Sequence, residues 1–292
     1  MRTHLLPPSA LLAALLAPGL ADAEVQAVPA EGVESESYVW LDAQGQPLPI
    51  QAKAELEDFL LTADVVGSKK TEHGRFGVRR LQLQKDGITA HAAGRMMDTE
   101  DRKRRMKDRE VWFFRDHYIH EPAAYALSEL LEFHMVPPAV QRSVKGKPAS
   151  VQIWVENGMV ELEREKKKIQ PPDSRRYMLQ LYQMHVFDNL INNIDRNLGN
   201  IVIDPDWRLW LIDHSQAFIR DRKLHAPQQV RRVERRVWER LRSVSDDDLE
   251  AAIEPYLGEP ERTALLERRR LLVELIEGKI ALLGEDGVLF NW

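Results

Sequence analysis

Between His185 and Phe218 the chain changes pattern three times within a short distance, and this stretch limits the possible folds more than any other. The segment HVFDNLINNIDRNLGNIVIDPDWRLWLIDHSQAF continues a helical spacing through Met184, Phe187, Leu190 and Ile191. It leaves that spacing in a polar cluster of Asn192, Asn193, Asp195, Arg196, Asn197 and Asn200. Two short apolar runs follow, Ile201 to Ile203 and Leu209 to Ile212, joined by Asp204-Pro205-Asp206, so that Asp213 emerges at a strand end. A loop and a strand end thus deliver carboxylates and a carboxamide to one place, as functional loops on rigid supports do.

The surroundings of this segment are unequal. Before it, VRRLQL and ITAHAAGR alternate on either side of Lys85-Asp86-Gly87, a hairpin signal with Asp-Gly as the turn. The spacing also predicts strands over Val140 to Ser143 and Ser150 to Glu156, and helices over Ala52 to Leu61 and Glu121 to Phe133. The charged run Asp98 to Arg109 reads as a solvated loop. After Asn157-Gly158 helical patterns dominate. The expectation is an α+β chain in two lobes with a cleft between them: a strand-rich lobe over 52–157 and a helical lobe over 158–292. Residues 24–51 read as a leader or linker.

Composition narrows the chemistry. With no Cys, thiolate metal sites, iron–sulfur clusters and Cys nucleophiles are excluded, so any reaction must use oxygen and nitrogen groups. A formal charge of −5 argues against wrapping nucleic acid. Phosphoryl transfer suits the oxygen set, because its transition state needs positioning and cation stabilisation more than covalent chemistry. One Asp must align the attacking hydroxyl, while an Asn oxygen and a second Asp hold a magnesium ion on the nucleotide phosphates. Asn200 follows Asp195 by five positions, the separation of the kinase catalytic loop, and Asp213 follows after a hairpin.

DRNLGN followed by LIDHS resembles the catalytic and metal-binding loops in atypical branches of the kinase-like superfamily, namely phosphatidylinositol kinases, HipA-type kinases and secretory-pathway kinases. The resemblance implies a two-lobed protein-kinase-like fold and an ATP- and Mg²⁺-dependent transfer to a hydroxyl of protein, lipid or sugar. It implies Asp195 as catalytic Asp with Arg196 beside it, Asn200 and Asp213 as metal ligands, and Glu121 as partner of the phosphate-contacting cation. It further implies that the strand containing Trp154 and Val155 meets the base, and that Gly74 and Gly77 mark the nucleotide-covering turn. Two departures stand out. In Ala93-Gly94-Arg95 an Arg occupies the place of the family's Lys, and His214-Ser215 follows Asp213 where ordinary kinases have Phe-Gly. These departures leave a pseudokinase or a nucleotidyl transferase as alternatives.

Other readings fit less well. His185, His214 and Asp213 lack HExxH spacing, and Ser215, His214 and Asp213 are sequence neighbours with no G-x-S-x-G around them. Arg231, Arg232, Arg235, Arg236, Arg240 and Arg242 form a basic helix with Val233, Val237 and Leu241 inward, a solvated face or a contact for an anionic or membrane surface. Met1 to Ala23 combines Arg2, the run ALLAALLA and Ala21-Asp22-Ala23, the pattern of a cleaved export signal, which predicts a periplasmic or secreted protein. Mass spectrometry of protein from its native host should therefore find a mature N-terminus near Glu24, and intact Met1 in the soluble cytoplasm would overturn that expectation.

Overall fold

The computed structural model describes residues 38–71, 78–106 and 110–292; the expected export signal, Gly74 and Gly77 lie outside them. Helix α1 (Lys53–Thr62) is followed by strands β1 (Asp64–Lys70), β2 (Val78–Lys85) and β3 (Ile88–Arg95). The hairpin between β2 and β3 turns at Asp86 and Gly87, both at positive φ, with Ile88 opposite Lys85. After an inserted hairpin come α2 (His120–Leu130), β6 (Ala139–Val144) and β7 (Lys147–Ile153). The five strands form one antiparallel sheet in the order β1-β2-β3-β7-β6.

Strand alternation gives this sheet two unlike faces. Leu81, Leu83, Ala90, Ala92, Val151 and Ile153 share a buried core with Leu56, Phe59 and Leu60 of α1. Trp40 and Leu48 join that core, so the stretch from Tyr38 that reads as a linker is packed: its aromatics meet Trp210 at 4.7 to 4.9 Å between ring centroids. The other face carries Arg80, paired across the ladder with Ala93, and then Arg95, paired with Ser150.

The run from Asp98 departs from its expectation. Instead of a solvated loop it forms β4 (Asp98–Arg105), paired antiparallel with β5 (Glu110–His117). The apolar content comes from the partner strand, whose Val111 and Phe114 are buried with Ile219 against Met106 and Ile194. Charges on β4 then find cross-strand partners, Lys103 on Glu110 at 2.9 Å and the Arg104 guanidinium 3.8 Å from the Phe114 ring centroid.

The remainder is mostly helical. A short sheet in the order β10-β9-β8 is made by β8 (Met159–Val160), β9 (Ile201–Ile203) and β10 (Leu209–Leu211), with α3 (Glu161–Lys167) and α4 (Ser174–Ile191) between β8 and β9. Beyond it lie β11 (Val233–Glu234), α5 (Arg235–Ser243), α6 (Asp246–Ile253), α7 (Glu259–Leu283), α8 (Glu285–Val288) and β12 (Leu289–Phe290). Phe187, Leu190, Leu209, Leu241, Leu265 and Leu272 are fully or almost fully buried in the core they share. The expected basic helix is shorter than its run of arginines: α5 begins at Arg235, Arg231 and Arg232 precede it outside any helix, and Val233 lies in β11. Much of the helix's charge is spent within the chain, Arg235 on Glu285, Arg236 on Glu234, and Arg240 on the Leu130 carbonyl. Among the described residues no helix is long and apolar enough to cross a membrane.

Gly94 lies on the buried face of the sheet, where an added Cβ would sit 2.6 Å from Leu81 Cδ1 and 2.9 Å from Cγ. Gly94→Ala should lower stability by about 1–3 kcal/mol through overpacking; an unchanged denaturation midpoint would show that Leu81 repacks without cost.

Candidate active site

Helix α4 ends because Asn192 adopts the left-handed conformation (φ 49°), which Asn tolerates better than most side chains. Short side-chain bonds then shape the loop. Asn193 Oδ1 accepts the Asp195 N–H at 3.1 Å, Asn197 Oδ1 accepts from Gly199 at 2.9 Å, and Asn200 Nδ2 donates to the Asp195 carbonyl at 3.1 Å. The five-residue interval from Asp195 to Asn200 is thus the length of one closed loop, finished by a single 3₁₀ turn at Leu198–Asn200.

Arg196 is held inside this loop. Its guanidinium donates to both Asp188 oxygens, to the carbonyls of Asn200 (2.6 Å) and Ile212 (2.9 Å), and lies 3.1 Å from His214 Nε2. The Arg196 side chain is 9% exposed, and its donors are directed inward onto protein acceptors. It ties the loop after α4 to the segment after β10.

That segment begins at Asp213, also left-handed (φ 58°). Asp213 Oδ1 accepts from Ser215 Oγ at 3.0 Å and meets Arg95 Nη2 at 2.7 Å. Arg95 reaches it from the open face of β3, with a second contact to Glu121 Oε1 at 3.5 Å and a third to Ser215 Oγ at 3.1 Å. Burial alone would lower the pKa of Arg95, but the charges of Asp213 and Glu121 outweigh it and raise the value. Glu121 lies in the first turn of α2, where it accepts the His214 N–H at 2.8 Å on one oxygen and meets His214 Nδ1 at 3.1 Å on the other. Burial pushes this carboxyl up, yet the hydrogen bonds of His214 and the charge of Arg95 outweigh it and hold it below the usual carboxylate range. His214 is completely buried, and because a guanidinium only donates, its Nε2 must accept from Arg196 while Nδ1–H donates to Glu121.

The structure therefore brings Arg95, Glu121 and Asp213 into contact, and the loop of Asp195 and Asn200 adjoins them through the Asn200 carbonyl, which accepts the N–H of Ile212 next to Asp213. Trp154 and Val155 follow β7 at the rim of the sheet. Trp154 spends its N–H on the His91 carbonyl at 3.0 Å, and the Val155 side chain is buried in the sheet core, which leaves less of that strand open than the motif implied. Asp188, Ser215, His120 and the pair Arg80–Glu156 escape the motif. Only the pairing of Arg80 with Ala93, legible from the Asp-Gly turn, signals that Arg80 shares a face with Arg95.

No protein-family model matches the sequence, and no curated protein does. Solved structures do. The chain is similar to hydra Fam20, determined with sugar, at a TM-score of 0.63 and 16% identity over 83% of this chain and 94% of that one. It is similar to the Golgi casein kinase with Mn/ADP bound at 0.58 and 16%, over 82% and 79%. The Helicobacter pylori proinflammatory kinase CtkA matches at 0.50 and 11%, over 77% and 97%. At such identities the likeness establishes the fold: an atypical kinase-like fold with a small β-rich lobe and a helical lobe.

One group near the site sets an acid limit. His120 is fully buried, with Nδ1 2.8 Å from the Ser215 carbonyl, and burial lowers its pKa to about 3. The unfolded chain takes up this proton near pH 6.5, whereas the folded chain refuses it until about pH 3. Stability from this group is complete above pH 6.5 and falls as pH drops through that window, by at most ~1.4 kcal/mol per pH unit. His120→Asn keeps a donor for Ser215 and should reduce the loss measured by urea denaturation between about pH 6.5 and 4.5 by about 2 kcal/mol; an unchanged slope would show that His120 titrates normally.

Proposed function

We propose that this chain is an exported phosphotransferase that uses ATP and Mg²⁺ to phosphorylate a hydroxyl acceptor on a protein, lipid or sugar. The observation that carries the reading is the Arg95 guanidinium, 2.7 Å from Asp213 and 3.5 Å from Glu121, with Asp213 following directly on Ile212, whose N–H bonds the Asn200 carbonyl. A cation fixed between two carboxylates of opposite lobes is placed for phosphate oxygens, and Arg, always charged, offers several donors there at once.

The donor set fits a hard cation. Asn200 turns its Nδ2 to the Asp195 carbonyl, which directs Oδ1 elsewhere, and the Asp213 carboxylate is 29% exposed. Among the described residues no cluster of three His, Asp or Glu could hold a metal unaided. Magnesium, which binds through one or two protein oxygens together with substrate phosphates and water, suits Asn200 and Asp213. When bound, the metal and nucleotide supply a transferable phosphoryl group with part of its charge neutralised. Asp195 orients the acceptor hydroxyl and takes its proton, while Arg196 and Glu121 keep the two lobes in register. The hydra and Golgi relatives in fold, one determined with sugar and one with Mn/ADP, support the same classes of ligand here.

Arg95 in place of Lys favours one further reading, a nucleotide-binding protein with little or no phosphoryl turnover, or one that transfers the nucleotidyl group instead. Purified protein given γ-labelled or α-labelled ATP with a mixture of hydroxyl acceptors separates the three outcomes: γ label on acceptor supports the kinase, α label the nucleotidyl transferase, and neither the inert binder. Asp213→Asn should remove most of the Mg²⁺-dependent thermal shift caused by ATP while the melting of the free protein stays cooperative. Asp195→Ala should lower turnover by about 10²–10³-fold with nucleotide affinity nearly unchanged. A strong loss of nucleotide affinity on Asp195→Ala would mean the roles are misassigned.

A further inference from the structure

Above the rim of the sheet, Arg80 is held in a way the phosphate chemistry does not use. Its Nη2 lies 2.9 and 2.7 Å from the two oxygens of Glu156, in a forked contact. His91 Nδ1 closes the triangle, 2.9 Å from the same nitrogen and 2.7 Å from Glu156 Oε1. One face of the guanidinium covers the Trp154 ring, with its carbon 4.8 Å from the centroid. His91 comes from β3, and Trp154 and Glu156 come from the segment after β7, so the guanidinium is held at Nη2 and covered on one side. Yet the Arg80 side chain remains 35% exposed, while Glu156 is 11% exposed.

Position decides what the open side meets. Arg80 pairs with Ala93, and Arg95 stands two residues further along the same face, a separation of about 7 Å. Charge decides the chemistry. Glu156 neutralises Arg80 within the cluster, so the group offers a flat, polarisable surface rather than a free cation, and planar guanidinium stacks well on aromatic rings.

We infer that the Arg80 guanidinium, clamped by Glu156 and backed by Trp154, is the stacking surface for the nucleobase of the nucleotide whose phosphates Arg95 receives. The inference rests on the nucleotide-binding reading and goes beyond it by assigning the base contact to a residue of β2. Stacking without a hydrogen-bonding code makes this contact tolerant of base identity, because every base presents a π face.

Equilibrium binding of ADP and of tripolyphosphate, each with Mg²⁺, tests it on the full chain. Arg80→Lys keeps the charge against Glu156 and removes the plane. It should weaken ADP about tenfold, equivalent to ~1.4 kcal/mol, and leave tripolyphosphate within about twofold. Glu156→Gln unclamps the guanidinium and leaves it cationic, so ADP should weaken relative to tripolyphosphate, which should bind as well or better. Guanosine and adenosine diphosphates should lose affinity alike in Arg80→Lys. Unchanged ADP affinity in both variants, or ADP and tripolyphosphate weakening in parallel, overturns the base-stacking assignment while leaving the nucleotide site intact. A wild-type chain that binds neither ligand overturns the nucleotide reading and this inference with it.

Discussion

A line of ion pairs joined through the His214 imidazole runs between the sheet and the helices, and the rest of the site depends on it. Asp188 of α4 holds Arg196, Arg196 meets His214, His214 donates to Glu121 of α2, and Glu121 faces Arg95 of β3, which in turn reaches Asp213. Every member except Asp213 is buried or nearly so. In such surroundings an unpaired charge costs several kcal/mol, so each side chain persists only because its neighbours are in place. The line crosses between the sheet and the helices, so the same requirement that satisfies the charges fixes how β3, α2 and the loop after α4 face one another.

The two departures from the ordinary kinase pattern belong together on this line. A Lys ammonium could not reach Asp213, Glu121 and Ser215 in a fixed fork, whereas the Arg95 guanidinium contacts all three. With Arg95 leaning toward Asp213 and 3.5 Å from Glu121, the second carboxylate needs other donors, and the backbone and ring of His214 supply them at 2.8 and 3.1 Å. An apolar residue at that place would leave Glu121 short of one donor and Arg196 short of an acceptor. The pair of substitutions therefore reads as one solution to a buried-charge problem.

Away from the charges, a second device keeps the loops in place. Arg268 of α7 is fully buried and donates to the carbonyls of Leu190, Ile219 and Asp221, joining the end of α4 to the segment that follows Asp213. Burial without a carboxylate in contact lowers its pKa to about 9. Loops whose carbonyls have lost water need such donors. The inserted hairpin β4–β5 supports the same segment through the buried cluster of Phe114 and Val111 with Ile219.

The sequence by itself determined the parts whose signals are local. Asp-Gly fixed the β2–β3 turn, the Asn-rich run fixed where α4 stops, and the spacing of Asp195, Asn200 and Asp213 located the loop and strand end that converge. It also placed Glu121 at a helix start and Arg95 at a strand end, and only the resemblance to the kinase-like superfamily implied that they meet. Three things were decided only by tertiary structure. The charged run from Asp98 became a strand because its apolar support lies on the partner strand and on Ile219, far along the chain. Arg196 turned inward because its donors are claimed by Asp188 in the last turns of α4, by the Asn200 carbonyl of its own loop and by the Ile212 carbonyl just after β10. Arg80 and Glu156 came together from positions 76 residues apart. Local pattern reports backbone geometry, which is set by neighbours in sequence; the partners of a long charged side chain are set by which elements pack together, and no short-range pattern encodes that.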